Sequence, residues 1–117
     1  MAQPNTHLTK ALLLDTAKET VAGRGRNYGT PEDNFARIAN HWEMFLVNRY
    51  GSGFSLTPGD VAVMMALMKI ARLEHDPRHA DSWIDLAGYA ACGAEIETSP
   101  FGIESVTVTF QDDLDCA

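Results

Sequence analysis

Asp81 and Asp85 stand four residues apart in a segment with helical periodicity, which puts both carboxylates on one face, one turn apart. Carboxylates that close repel each other unless a cation lies between them. Mg²⁺ suits the position, because it takes one or two carboxylates together with the phosphates of a ligand. Asp60, at the start of the preceding helical segment, supplies a third carboxylate if the two helices run side by side. The competing reading is that Asp81 and Asp85 are solvated or pair with Lys69, Arg72 or Arg78.

A second candidate is AGRGRNYGTPEDNF, residues 22–35. Arg24, Arg26 and Tyr28 sit among glycines just ahead of a helix start, where backbone N–H groups and the helix dipole favour an anion. The stretch lacks the strand that precedes a dinucleotide fingerprint, and Gly29 is followed by Thr30 and Pro31 rather than the Lys-Ser/Thr of a P-loop. Glu32 and Asp33 in the first helical turn repel a phosphate that arrives without a cation. Two readings stay open: a grip for an anionic ligand, or a tight glycine turn whose arginines pair with those acids. Asn34 and His41, seven residues apart on the next helix, flank its apolar stripe. They either reach a base or sugar or form a hydrogen-bonded boundary pair.

Other chemistries find less support. His75 and His79 share helical spacing, but Pro77 between them breaks a common face for zinc. Neither Cys92 nor Cys116 has a histidine beside it in sequence, and there is no serine-hydrolase elbow. Met64, Met65 and Met68 are expected to fill core.

The elements that position these residues are read from periodicity and punctuation. A first helix is expected over residues 8–22, with Leu8, Ala11, Leu12 and Val21 near one face and Gly23 as its stop. Thr30 caps a second helix, with Pro31 at its first position and Asp33 at the capping-box site. Its buried stripe is Phe35, Ile38, Ala39, Trp42, Phe45 and Leu46, and it ends near Tyr50 before Gly51 and Gly53. Thr57, Pro58 and Asp60 repeat that opening for a third helix, apolar nearly all round and therefore expected at the centre of a bundle. A connector at residues 75–79 leads to a fourth helix over 80–96. Its Ala87, Gly88, Ala90, Ala91, Gly93 and Ala94 predict close approach to a neighbour. Beyond Pro100, Val106, Val108 and Phe110 alternate with polar residues as in a strand. The fold expected is all-α: a compact four-helix bundle over residues 1–98, then a short strand and acidic tail over 99–117.

The 117 residues carry 16 acids, 9 bases and a formal charge of −7. From Glu95 onward there are acids and no Lys or Arg, so nearly all of that charge lies in the tail. This balance argues against direct binding of duplex DNA. No apolar run approaches the length of a membrane span. The two cysteines, without framework or metal spacing, fit a reducing cytoplasm. The lone strand either pairs with another chain or packs its apolar side on the bundle, and the first is favoured, as a homo-oligomer.

RNYGTPEDNFARIANHW followed by DVAVMMALMKIARLEHDPRHADSWIDLAGYAA resembles a family of short phage and prophage proteins carried as a domain of unknown function, over about residues 10–94. The latter half is also distantly similar to the all-α nucleoside triphosphate pyrophosphohydrolases of the MazG and dUTPase type. Those are helical bundles, often oligomeric, that hold Mg²⁺ on an E-x-x-E and an E-x-x-D. By that resemblance Asp60 stands for the first acid of the first pair, while its partner position holds Val63. Asp85 fits the last acid of the second pair, with Ser82 at the preceding ligand place and Asp81 one residue earlier. Lys69 matches the lysine directed at phosphates.

Two functions are therefore expected. One is a Mg²⁺-dependent nucleotide pyrophosphohydrolase with a partly eroded metal site. The other is a phage protein of the host cytoplasm that binds and sequesters a nucleotide defence signal, or inhibits a host defence protein, without catalysis.

Overall fold

The computed structural model describes residues 7–28 and 30–99, with the side chains of residues 25–28 outside that description. The expected strand at residues 106–110 and the acidic tail lie outside the described residues. Within them the chain is all-α, in the order α1 (Lys10–Tyr28), α2 (Pro31–Tyr50), α3 (Pro58–His75) and α4 (Ala80–Glu97). No helix among the described residues is long and apolar enough to cross a membrane.

The Thr-Pro signals set two helix starts. Thr30 accepts a hydrogen bond from the Asp33 amide at 3.2 Å. Thr57 forms a full capping box: its hydroxyl accepts from the Asp60 amide, and Asp60 Oδ2 accepts from the Thr57 amide at 2.9 Å. Gly51, with φ 97°, ends α2 in a conformation that side chains resist.

α1 departs from expectation. It runs through Gly23 and Gly25 to Tyr28, so most of the glycine-rich stretch is helix rather than turn. Glycine lowers helix stability by roughly 1 kcal/mol without forbidding helical dihedrals. The stronger break is Pro31, whose ring pushes Thr30 into the extended region, at ψ 146°.

α3 and α4 form the spine, packed antiparallel. A Cβ at Gly59 would collide with the Glu97 carboxylate, one at Gly93 would lie 3.0 Å from Ala62 Cβ, and Lys69 meets Asp85. These three pairings keep one register along the helices. They also supply the close approach that the small residues of α4 predict. α1 lies along α4 and α2 along α3, while α2 meets α1 and α4 only sparsely. The core gathers Phe35, Ala39, Val61, Ala62 and Cys92, with Trp42, Met65 and Tyr89 packed partly buried against it. Glu43 closes the α2–α3 loop by accepting the Leu56 amide at 2.8 Å.

Three packing expectations are corrected. Phe45 is 64% exposed rather than part of the α2 stripe. α3 is not enclosed either: Val63, Met64, Leu67, Met68 and Ile70 are exposed along one face, so Met64 and Met68 are not core filler. α4 and α2 cover the rest of α3, and no described element covers this arc. Leu12 on α1 is likewise exposed.

Candidate functional site: a cleft between α1, α2 and α4

Because α2 packs sparsely on α1 and α4, a cleft of about 360 Å³ remains between the three helices. That volume lies within the range of small-molecule sites. α1 contributes Thr20, Val21 and Arg24, and the first turn and a half of α2 contributes Pro31, Asn34 and Phe35. α4 presents Ile84, Asp85, Gly88, Tyr89 and Cys92, a stripe with three-four spacing.

One wall is aromatic. The rings of Phe35 and Tyr89 lie 6.3 Å apart with their planes tilted by 40°, a favourable arrangement for two quadrupoles. Gly88 leaves the middle of the α4 wall without a side chain; its absent Cβ would sit 3.5 Å from Val21 Cγ2.

The polar groups come from three helices. Asp85 accepts a charge-assisted hydrogen bond at 3.0 Å from Lys69 Nζ of α3, with the side chains 23% and 13% exposed. The half-buried Asn34 and the exposed Arg24 also line the cleft. Burial pushes the Cys92 thiol above its ordinary value; the Glu95 carboxylate pushes the same way and the Arg24 guanidinium opposes both. Arg24 makes no ion pair among the described residues, so here Glu32 and Asp33 do not hold it.

The three acids expected to share a metal are dispersed. The α3–α4 register sets Asp60 level with Glu95 and Asp81 level with Glu74. Along the spine these levels are about 20 Å apart at 1.5 Å per residue. The Asp60 carboxylate caps α3, and Asp85 is paired with Lys69. Among the described residues no group of three or more His, Cys, Asp or Glu side chains is placed to hold a metal ion. The donor set does not fit Mg²⁺ on Asp60, Asp81 and Asp85.

The other expected residues divide. Arg24 and Asn34 line the cleft; Lys69 touches it only through Asp85. His41 is exposed on α2, two turns beyond Asn34, and does not line the cleft. Arg26 and Tyr28 have side chains outside the described residues. His79 and Ser82 share a 2.7 Å side-chain hydrogen bond at the start of α4, with Ser82 fully buried, and neither lines the cleft. Sequence reasoning missed Thr20, Gly88, Tyr89 and Cys92 as lining residues. The signal was present in the spacing of Asp85, Gly88, Tyr89 and Cys92, one face of α4 broken by a glycine.

No solved structure matches the chain. The Gene 55 protein of Mycobacterium phage L5 is 44% identical over 79 residues, which are 67% of this chain and 47% of that protein. The Gene 55 protein of Mycobacterium phage D29 is 38% identical over 89 residues, 75% of this chain and 55% of that protein. The chain thus spans about half the length of the curated relatives it matches. None of the comparisons links it to the pyrophosphohydrolases. Residues 12–97, close to the span expected, match the model of a domain of unknown function, DUF6378. The match takes in all of α2 and α3 and the whole α4 wall of the cleft, and the chain belongs to the DUF6378 family.

Proposed function

We propose that the chain binds a nucleotide or nucleotide-derived small molecule in the α1–α2–α4 cleft and holds it without hydrolysis. The observation that carries this reading is the composition of the cleft. The half-buried Tyr89, backed by the core residue Phe35, offers a surface for a base, Asn34 and Asp85 offer hydrogen bonds, and Arg24 lies beside them for a phosphate. Aromatic faces accept any base, and the polar groups fix its orientation. Glu32 and Asp33 are exposed in the same first turn of α2. They favour a ligand with one phosphate over a polyphosphate, which would bring more negative charge to a site with few cations.

Sequestration is favoured over pyrophosphohydrolysis by the dispersal of Asp60, Asp81 and Asp85. In a phage protein, binding of this kind suits the capture of a host nucleotide signal. A second reading rests on a different observation, the exposed apolar face of α3. That face suits a macromolecular partner, either a second copy of the chain or a host defence protein.

The test is incubation with a panel of nucleoside mono- and triphosphates and cyclic nucleotides in the presence of Mg²⁺. Thermal shift reads binding, and chromatography after denaturation reads the fate of the ligand. A shift with return of intact ligand is expected. Turnover overturns the non-catalytic part, and no shift with any nucleotide removes the reading. Sedimentation of the same protein, with and without Leu67→Lys, reads self-association through α3.

A further inference from the structure

We infer that the Asp85 carboxylate is a base-reading group, selecting a guanine through its adjacent N1–H and N2–H donors. This rests on the nucleotide reading above and specifies the base. Asp85 and Tyr89 lie four residues apart on the cleft face of α4. Side chains at that spacing are about 5–6 Å apart at Cβ, the scale of a purine ring. A base lying against Tyr89 and directed along α4 toward its N-terminus therefore brings one edge to Asp85.

Asp85 is prepared for that edge from behind. Lys69 Nζ takes one lone pair of Oδ2 at 3.0 Å and fixes the side chain from the α3 side. A carboxylate has about four acceptor sites. Oδ1 has no hydrogen-bond partner among the described residues, and the Asp85 side chain, which lines the cleft, is 23% exposed. A carboxylate accepts and does not donate, so it matches two neighbouring N–H groups. Guanine presents such a pair on its Watson–Crick edge. Inosine lacks the exocyclic amine, and adenine presents a ring acceptor at N1, which a carboxylate repels. Asn34, Thr20 and Tyr89, the other half-buried polar side chains of the cleft, can each donate and accept and do not reverse this preference.

The experiment is titration calorimetry of the full chain with GMP, IMP and AMP. GMP is expected to bind most tightly, with IMP weaker by about tenfold and AMP by more, since each lost hydrogen bond to a charged group carries at least that factor. Asp85→Asn replaces one acceptor by a donor and is expected to reduce the GMP-over-AMP ratio toward one. Urea denaturation checks that the variant is folded, and the native-protein series decides the matter if it is not. Equal affinity for the three, or tightest binding of AMP, overturns the inference and leaves the nucleotide reading standing. Binding of none overturns both.

Discussion

Lys69 Nζ of α3 donates to Asp85 Oδ2 of α4 at 3.0 Å, with both side chains largely out of solvent. A carboxylate that sequence spacing marks as a metal ligand thus already has its counter-charge, delivered by the neighbouring helix. The bond ties the spine together and fixes a polar group at the edge of the cleft. Mutation of either partner acts on the other.

Lys69→Met leaves the Asp85 carboxylate half-buried and unpaired, and we expect it to lower stability by about 1–3 kcal/mol. Asp85→Leu is expected to cost a similar amount. The double variant should lose less than the two together, with a coupling near 1 kcal/mol. Urea denaturation of the four proteins measures the cycle. Simple additivity would show that the pair contributes no coupling.

Asp60 should behave as a cap. Asp60→Ala removes the acceptor for the Thr57 amide, and a loss of about 1 kcal/mol in stability is expected. Ligand binding in the cleft should be unchanged, because the carboxylate is engaged with the Thr57 amide and does not line the cleft. A variant that keeps its stability but loses binding would return Asp60 to the site.

Two glycines of the spine should answer differently to alanine. At Gly93 the new Cβ meets Ala62 Cβ at 3.0 Å, a methyl group with no rotamer by which to move aside. Gly93→Ala should destabilise by about 1 kcal/mol despite its better helix propensity. At Gly59 the obstacle is the end of the exposed Glu97 side chain, which can swing into solvent. Gly59→Ala should therefore be neutral or stabilising by up to about 1 kcal/mol. Thermal melts of the pair give the comparison.

Cys92 gives a pH dependence of definite sign. Its thiol is raised above the ordinary 9.0 by burial first and Glu95 second. The unfolded chain releases this proton at lower pH than the folded one. The stability it contributes is fully present below about pH 9 and is lost as pH rises through the folded value. In a Cys116→Ser background, urea midpoints measured from pH 8 upward should fall more steeply than those of the same chain with Cys92→Ala. Thiol labelling at pH 8 should be slow, and slower with ligand in the cleft.

Much of the architecture was legible in short signals. Thr30-Pro31 and Thr57-Pro58 marked two helix starts because capping is local chemistry. Gly51 marked an end because its φ is one that side chains resist. α1 was misread at Gly23 because a glycine weakens a helix without ending it, and the neighbouring turns decide. Phe45, Met64 and Met68 were misplaced for another reason. Apolar spacing shows which face prefers burial, and whether an element arrives to cover it depends on helix order in space. The site divides in the same way. Arg24 and Asn34, singled out by residue type, line the cleft, while Tyr89 and Cys92 needed the knowledge that α4 packs along α1 and closes the gap that α2 leaves.

Gly88 has a consequence for how this family can diversify. A Cβ there would meet only Val21 Cγ2, at the ordinary contact distance of 3.5 Å, so alanine fits and would strengthen the helix by roughly 1 kcal/mol. The chain forgoes that gain and keeps room beside Tyr89. On the ligand-binding reading proposed above, position 88 would act as a size filter: one methyl group would narrow the range of admissible guests while the rest of the bundle keeps its contacts. Homologues that differ there should sort by the bulk of what they carry.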